Sequence, residues 1–69
     1  MAQRPGKAYR IGKSAFENKE YIRAIGWLDV AINSQKKKYN DAYIYRAKSH
    51  LALDREGKAL KDFIIASKL

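Results

Sequence analysis

Apolar residues recur three and four positions apart over four stretches of this chain, with short polar breaks between them. In the first stretch, roughly 5–18, Ala8, Ile11 and Ala15 repeat at helical spacing with Tyr9 and Phe16 beside them. Pro5 suits a helix's first turn, where the missing N–H costs nothing. Asn18-Lys19 reads as a tight break. The second stretch, about 20–34, carries Tyr21, Ala24, Ile25, Leu28, Ala31 and Ile32. A third helix is expected over about 41–53, capped by Asn40 or Asp41, with Ala42, Tyr43, Tyr45, Arg46, Ala47, Leu51 and Leu53. Asp54 reads as the cap of a fourth, about 55–68, bearing Ala59, Leu60, Phe63, Ile64 and Ala66. Apolar–polar alternation never persists, so no strand is expected.

The pattern is stated twice, 35 residues apart. Ala24-Ile25, Leu28 and Ala31 return as Ala59-Leu60, Phe63 and Ala66, while Gly12-Lys13-Ser14 and Phe16 return as Ala47-Lys48-Ser49 and Leu51. A fixed period of this length marks stacked supersecondary units. The expected fold is all-α, with two antiparallel helix–turn–helix hairpins stacked in a single domain spanning 1–69. Unit one covers about 5–38 and unit two about 39–69. Gly12, Ala24, Ala47 and Ala59 fall where helices must approach closely, and only small side chains permit that approach. Ile11, Tyr21, Leu28, Tyr43, Leu60 and Phe63 are expected to fill the space around the crossings.

These residues resemble the tetratricopeptide repeat, a helix–turn–helix unit of about 34 residues. The likeness runs from Ala8 to Leu69 and is strongest in unit two, with Tyr43-x-x-Arg46-Ala47 and Ala59-Leu60-x-Asp62-Phe63. Unit one departs in having Ala8 where Trp or Tyr is usual, and Lys19 and Asp54 stand where Gly usually separates the helices. The resemblance implies an α–α superhelix whose first helices line a concave groove for an extended peptide or partner helix. Carried onto this sequence, the groove residues are Tyr9, Lys13 and Phe16 with Ile44, Lys48 and Leu51, and Arg10 and Tyr45 stand beside them. Lys13 and Lys48 hold matching positions, which suits a peptide combining acidic and apolar residues. The Lys/Asn/Arg clamp that relatives use on chaperone tails is not reproduced, because Tyr9, Lys13 and Tyr45 stand at its positions.

Charge adds a rival. Fifteen Lys/Arg against seven Asp/Glu give a net charge of +8, which favours an acidic partner. Lys36-Lys37-Lys38-Tyr39 joins a basic run to an aromatic, and Tyr9, Tyr43 and Tyr45 could stack on unpaired bases, so nucleic acid is the alternative partner. Ile22, Gly26 and Val30 lie opposite the buried arc of the second helix, and Ile64 and Ile65 leave the fourth apolar; these residues predict self-association as a homodimer. No apolar run approaches the length of a bilayer span, no helix has the basic amphipathic face of a membrane binder, and Met1–Gly6 lacks a leader's apolar stretch. With cysteine absent, a cytoplasmic, intracellular setting is expected.

Enzymatic chemistry finds no footing. His50 is the sole histidine, the serines have no base to activate them, and Gly6, Gly12, Gly26 and Gly57 form no phosphate loop. No metal ligand set and no cofactor are expected. Glu17, Glu20, Asp54, Glu56 and Asp62 read as surface or capping residues.

Overall fold

The computed structural model describes residues 5–34 and 40–69, so the Lys36–Lys38 run and Tyr39 lie outside the described residues. Four helices follow in order: α1 (Pro5–Glu17), α2 (Tyr21–Asn33), α3 (Asn40–Ala52) and α4 (Glu56–Ser67). They form two hairpins, α1–α2 and α3–α4, stacked so that α3 packs on α2 and touches α1, whereas α4 packs on α3 alone. None of the four is long and apolar enough to cross a membrane.

Both hairpins turn in the same way. At the end of α1 the Lys19 N–H donates to the Phe16 carbonyl (2.9 Å) and the Glu20 N–H to that of Ala15 (2.8 Å). At the end of α3 the Asp54 N–H donates to the Leu51 carbonyl (3.0 Å) and the Arg55 N–H to that of His50 (2.8 Å). Lys19 and Asp54 accordingly occupy the left-handed region, with φ of 64° and 61°. This double bond from just past a helix satisfies carbonyls that would otherwise lack partners. Asp54 is therefore the residue that ends α3. It was expected to cap α4, but Arg55 holds that place and makes no side-chain cap bond. Asn40 likewise belongs to α3 itself, and its side-chain amide donates to the Ala66 carbonyl at the far end of α4 (2.5 Å).

Small residues close the crossings as expected. Ala24, Ala31, Ala42, Ala47 and Ala59 are all buried, and Leu28, clustered with Ala24 and Ala42, is fully enclosed. Ala15, Ile32, Tyr43 and Ala66 complete the core, with Tyr9, Phe16, Ile44 and Tyr45 packed on its margin. Gly12 is required by proximity: a Cβ there would sit 2.8 Å from Leu28 Cγ and 3.2 Å from its backbone nitrogen. Leu60 departs from expectation. It is 60% exposed and does not fill the α3–α4 crossing.

Candidate functional site

The seam between α1 and α3 is built around Tyr45. Tyr9, Lys13 and Phe16 stand at positions i, i+4 and i+7 of α1, one stripe of the helix, and all three meet that ring. The Phe16 and Tyr45 ring centroids are 5.1 Å apart and inclined by 53°. The Tyr9 ring lies 6.3 Å away on the other side. Between them the Lys13 ammonium stands 5.9 Å from the Tyr45 centroid, within reach of the ring's negative face. Tyr21 adds an edge contact to Phe16 at 6.0 Å. Partial burial pushes the Tyr9 phenol above its ordinary pKa, and the nearby Asp41 carboxylate, which accepts its hydrogen bond, adds to the shift. Side chains from α1 and α3, with Tyr21 of α2 at one end, thus form a half-buried aromatic strip with one ammonium in it.

The remaining groove residues separate from this strip. Ile44 packs against the core margin, while Lys48 and Leu51 are exposed. The two matched lysines consequently differ in surroundings, since Lys13 is half-buried over a ring and Lys48 stands in solvent. Arg10 lies elsewhere: with Lys7, Ser14, Asn18 and Arg23 it lines a cavity of about 540 Å³ on another side of α1. The physical reason is the stacking order. Tyr45, one period after Arg10, has α1 to pack against, whereas among the described residues no helix lies at the corresponding place beside Arg10.

The apolar residues expected to drive self-association occupy three surfaces. Ile22, Gly26 and Val30 are exposed on α2, where Gly26 and Val30 share a shallow depression with the half-buried Trp27. Ile64 is exposed on α4, and Leu60, expected instead to fill the crossing, stands one turn before it and is exposed as well. Ile65 lines a cleft between α2 and α4. Among the tyrosines considered for base stacking, Tyr43 is buried and has no free face to offer.

The strongest polar assembly is one that the sequence reading missed. Arg46 grips Asp62 with two parallel bonds, Nε to Oδ2 (2.8 Å) and Nη2 to Oδ1 (2.7 Å), and reaches Asp29 through Nη1 (2.6 Å). Three helices are joined by this one guanidinium, which also stands 5.4 Å from the Tyr43 ring centroid. Hydrogen bonding to Asp62, and then to Asp29, outweighs desolvation and holds Arg46 in its charged form. Asp62 is therefore a buried partner, correcting its reading as a surface or capping residue. A signal was present: one period earlier, Ile11 and Trp27 occupy the places of Arg46 and Asp62. Opposite charges replacing an apolar pair at matched positions are consistent with an ion pair there, although the spacing alone does not bring the two residues together.

Compared with protein-family models, curated proteins and solved structures, the chain matches none.

Proposed function

We propose that this chain is a protein–protein interaction module of tetratricopeptide type whose α1–α3 seam receives a peptide carrying both acidic and apolar residues. The observation that carries the reading is the placement of Lys13 over Tyr45, flanked by Tyr9 and Phe16. A carboxylate would pair with the ammonium, while apolar side chains would lie against the ring edges. Lys48 and Leu51, exposed on α3 and apart from this strip, offer a further positive charge and apolar surface on the helix that carries Tyr45. Selection from a random peptide library tests this. Enriched sequences should combine Asp or Glu with Leu or Phe, and Lys13→Glu with Lys48→Glu should reverse the charge preference. Enrichment of neutral or basic sequences by the wild-type protein would sink the proposal.

A second reading, compatible with the first, is self-association through α4, because Leu60 and Ile64 place two large apolar side chains in solvent at 60% and 45% exposure. Sedimentation should then detect dimers in the micromolar range, and Leu60→Glu should abolish them. A wild-type monomer at high micromolar concentration would end this reading. RNA binding, the rival function, would instead reveal itself by affinity that falls steeply with salt.

A further inference from the structure

We infer that the cleft between α2 and α4 is a binding site for a multiply charged oxyanion, with phosphate as its prototype. The second helices of the two hairpins do not touch, and α3 forms the floor between them. The resulting cleft, about 410 Å³, has Arg46 and His50 on its floor and Arg55, Lys58 and Lys61 on its α4 wall.

Charge accounting within the cleft leaves the wall unanswered. Both oxygens of Asp62 are engaged by Arg46, and Asp29 is held by the same guanidinium. No carboxylate among the described residues lies within ion-pair distance of Arg55, Lys58 or Lys61. The cleft therefore carries a net positive charge concentrated along successive turns of one helix. Glu56 belongs to α4's first turn but not to the cleft lining. The start of α4 adds to this potential, since Arg55 precedes it without a side-chain cap bond and its first N–H groups favour an anion.

An independent observation concerns His50. It is 7% exposed, it lines the cleft, and its Nδ1 is buried with no hydrogen-bond partner. A buried polar nitrogen without a partner is uncommon enough to call for an explanation. Rotation of the ring toward the cleft would let its N–H donate to a bound oxygen and remove the deficit. Burial favours the neutral ring, Asp62 opposes that preference, and Arg46, Arg55 and Lys58 reinforce it. A neutral imidazole still donates one hydrogen bond and adds no repulsion to the surrounding cations.

Phosphate fits this donor set better than a carboxylate does. A guanidinium and two ammonium groups along the α4 wall face the same cleft as the His50 imidazole on its floor, and a tetrahedral oxyanion has an oxygen for each. Ile25 and Ile65 flank the donors with apolar surface that limits competing water. The repeat calls for only one of these residues: Lys58 answers Arg23, whereas Gly26 stands one period before Lys61, Ala15 before His50 and Glu20 before Arg55.

Because His50 is the sole histidine, its ring signals in a proton NMR spectrum report on the cleft without ambiguity. The full chain is titrated with inorganic phosphate at constant ionic strength, with chloride as the balancing salt. The expected result is a saturable shift of the His50 signals and an apparent affinity at least tenfold weaker in Lys58→Ala/Lys61→Ala. Both lysines are exposed, so this variant keeps its fold, which circular dichroism verifies. Lys7→Ala/Lys68→Ala, removing the same charge from other surfaces, should bind phosphate like the wild type. Phosphoserine and a nucleoside monophosphate form a second arm, in which a shift abolished by Lys58→Ala/Lys61→Ala supports the site and separates the sources of the phosphate. A non-saturating response, an equal response to acetate, or equal loss in the two double variants would overturn the inference. None of the residues tested lies on the α1–α3 seam, so this result stands apart from peptide binding.

Discussion

The two hairpins solve the same packing problem by different means. Unit one brings its helices together by leaving space: Gly12 has no side chain, and Leu28 fills the position where one would go. Unit two has Ala47 at that place and joins α3 to α4 through the paired Arg46 and Asp62. The matched positions in unit one, Ile11 and Trp27, are apolar. Close approach needs only a small residue, whereas a buried ion pair needs both partners present in one geometry. Unit two should thus be the more vulnerable to a single change, and also the half whose geometry is more tightly specified.

Removing one partner tests that difference most severely. Arg46→Met leaves Asp62 buried without its cation and should cost about 3–5 kcal/mol in urea unfolding. Arg46→Met/Asp62→Leu, which gives unit two an apolar pair like that of unit one, should recover most of the loss. If the double variant is no more stable than the single, the ion pair does not explain how unit two is held. In unit one the corresponding test is Gly12→Ala, for which overpacking against Leu28 should cost about 1–3 kcal/mol. A neutral outcome would mean that Leu28 moves aside and that the crossing is less tight than its geometry implies.

The turns distinguish the units more finely. Lys19→Gly should stabilise the chain by about 0.5–1 kcal/mol, because glycine enters the left-handed region without the penalty of a Cβ. Asp54→Gly should gain less, since aspartate tolerates that region better than lysine does. Equal gains would show that the two turns are energetically alike despite their residues.

The smallest expected effect is that of pH. Burial lowers the pKa of His50, Asp62 opposes the shift, and Arg46, Arg55 and Lys58 reinforce it. The unfolded ring therefore takes up a proton first as pH falls. The stability associated with the neutral ring is complete above the unfolded value of about 6.5 and declines toward the lower folded value. Thermal melts should register that decline, and His50→Ala, the residue of unit one at this position, should flatten it.

Helix periodicity made most of this architecture legible. All four helices begin and end within a residue of their expected bounds, because spacing of three and four leaves little freedom once short breaks interrupt it. The 35-residue repeat placed Ala24 and Ala59 correctly at the crossings for the same reason. Capping was harder to read. Asp54 is a good helix starter in isolation, yet the preceding helix uses it as a terminator, and only backbone dihedrals separate those roles. Of the eight groove residues, Tyr9, Lys13, Phe16 and Tyr45 come together because they face one another across α1 and α3. Arg10 does not join them, since a position in a repeat acquires a neighbour only where an adjacent unit supplies it. Asp62 was misread because its partner lies on another helix, where sequence spacing does not reveal distance.

The two flanks of the stack also differ in a way that bears on symmetry. Lys7, Arg10 and Ser14 stand one period before Ala42, Tyr45 and Ser49, so they mark the side of unit one corresponding to the face with which unit two meets its neighbour. That side carries Lys7, Arg10 and Arg23 against a single acid, Glu20, whereas Leu60 and Ile64 make the opposite flank apolar. Head-to-tail addition would press hydrocarbon against solvated cations, which disfavours an open array. The proposed association through α4 would instead bring like faces together about a two-fold axis, and such a contact would close at two copies.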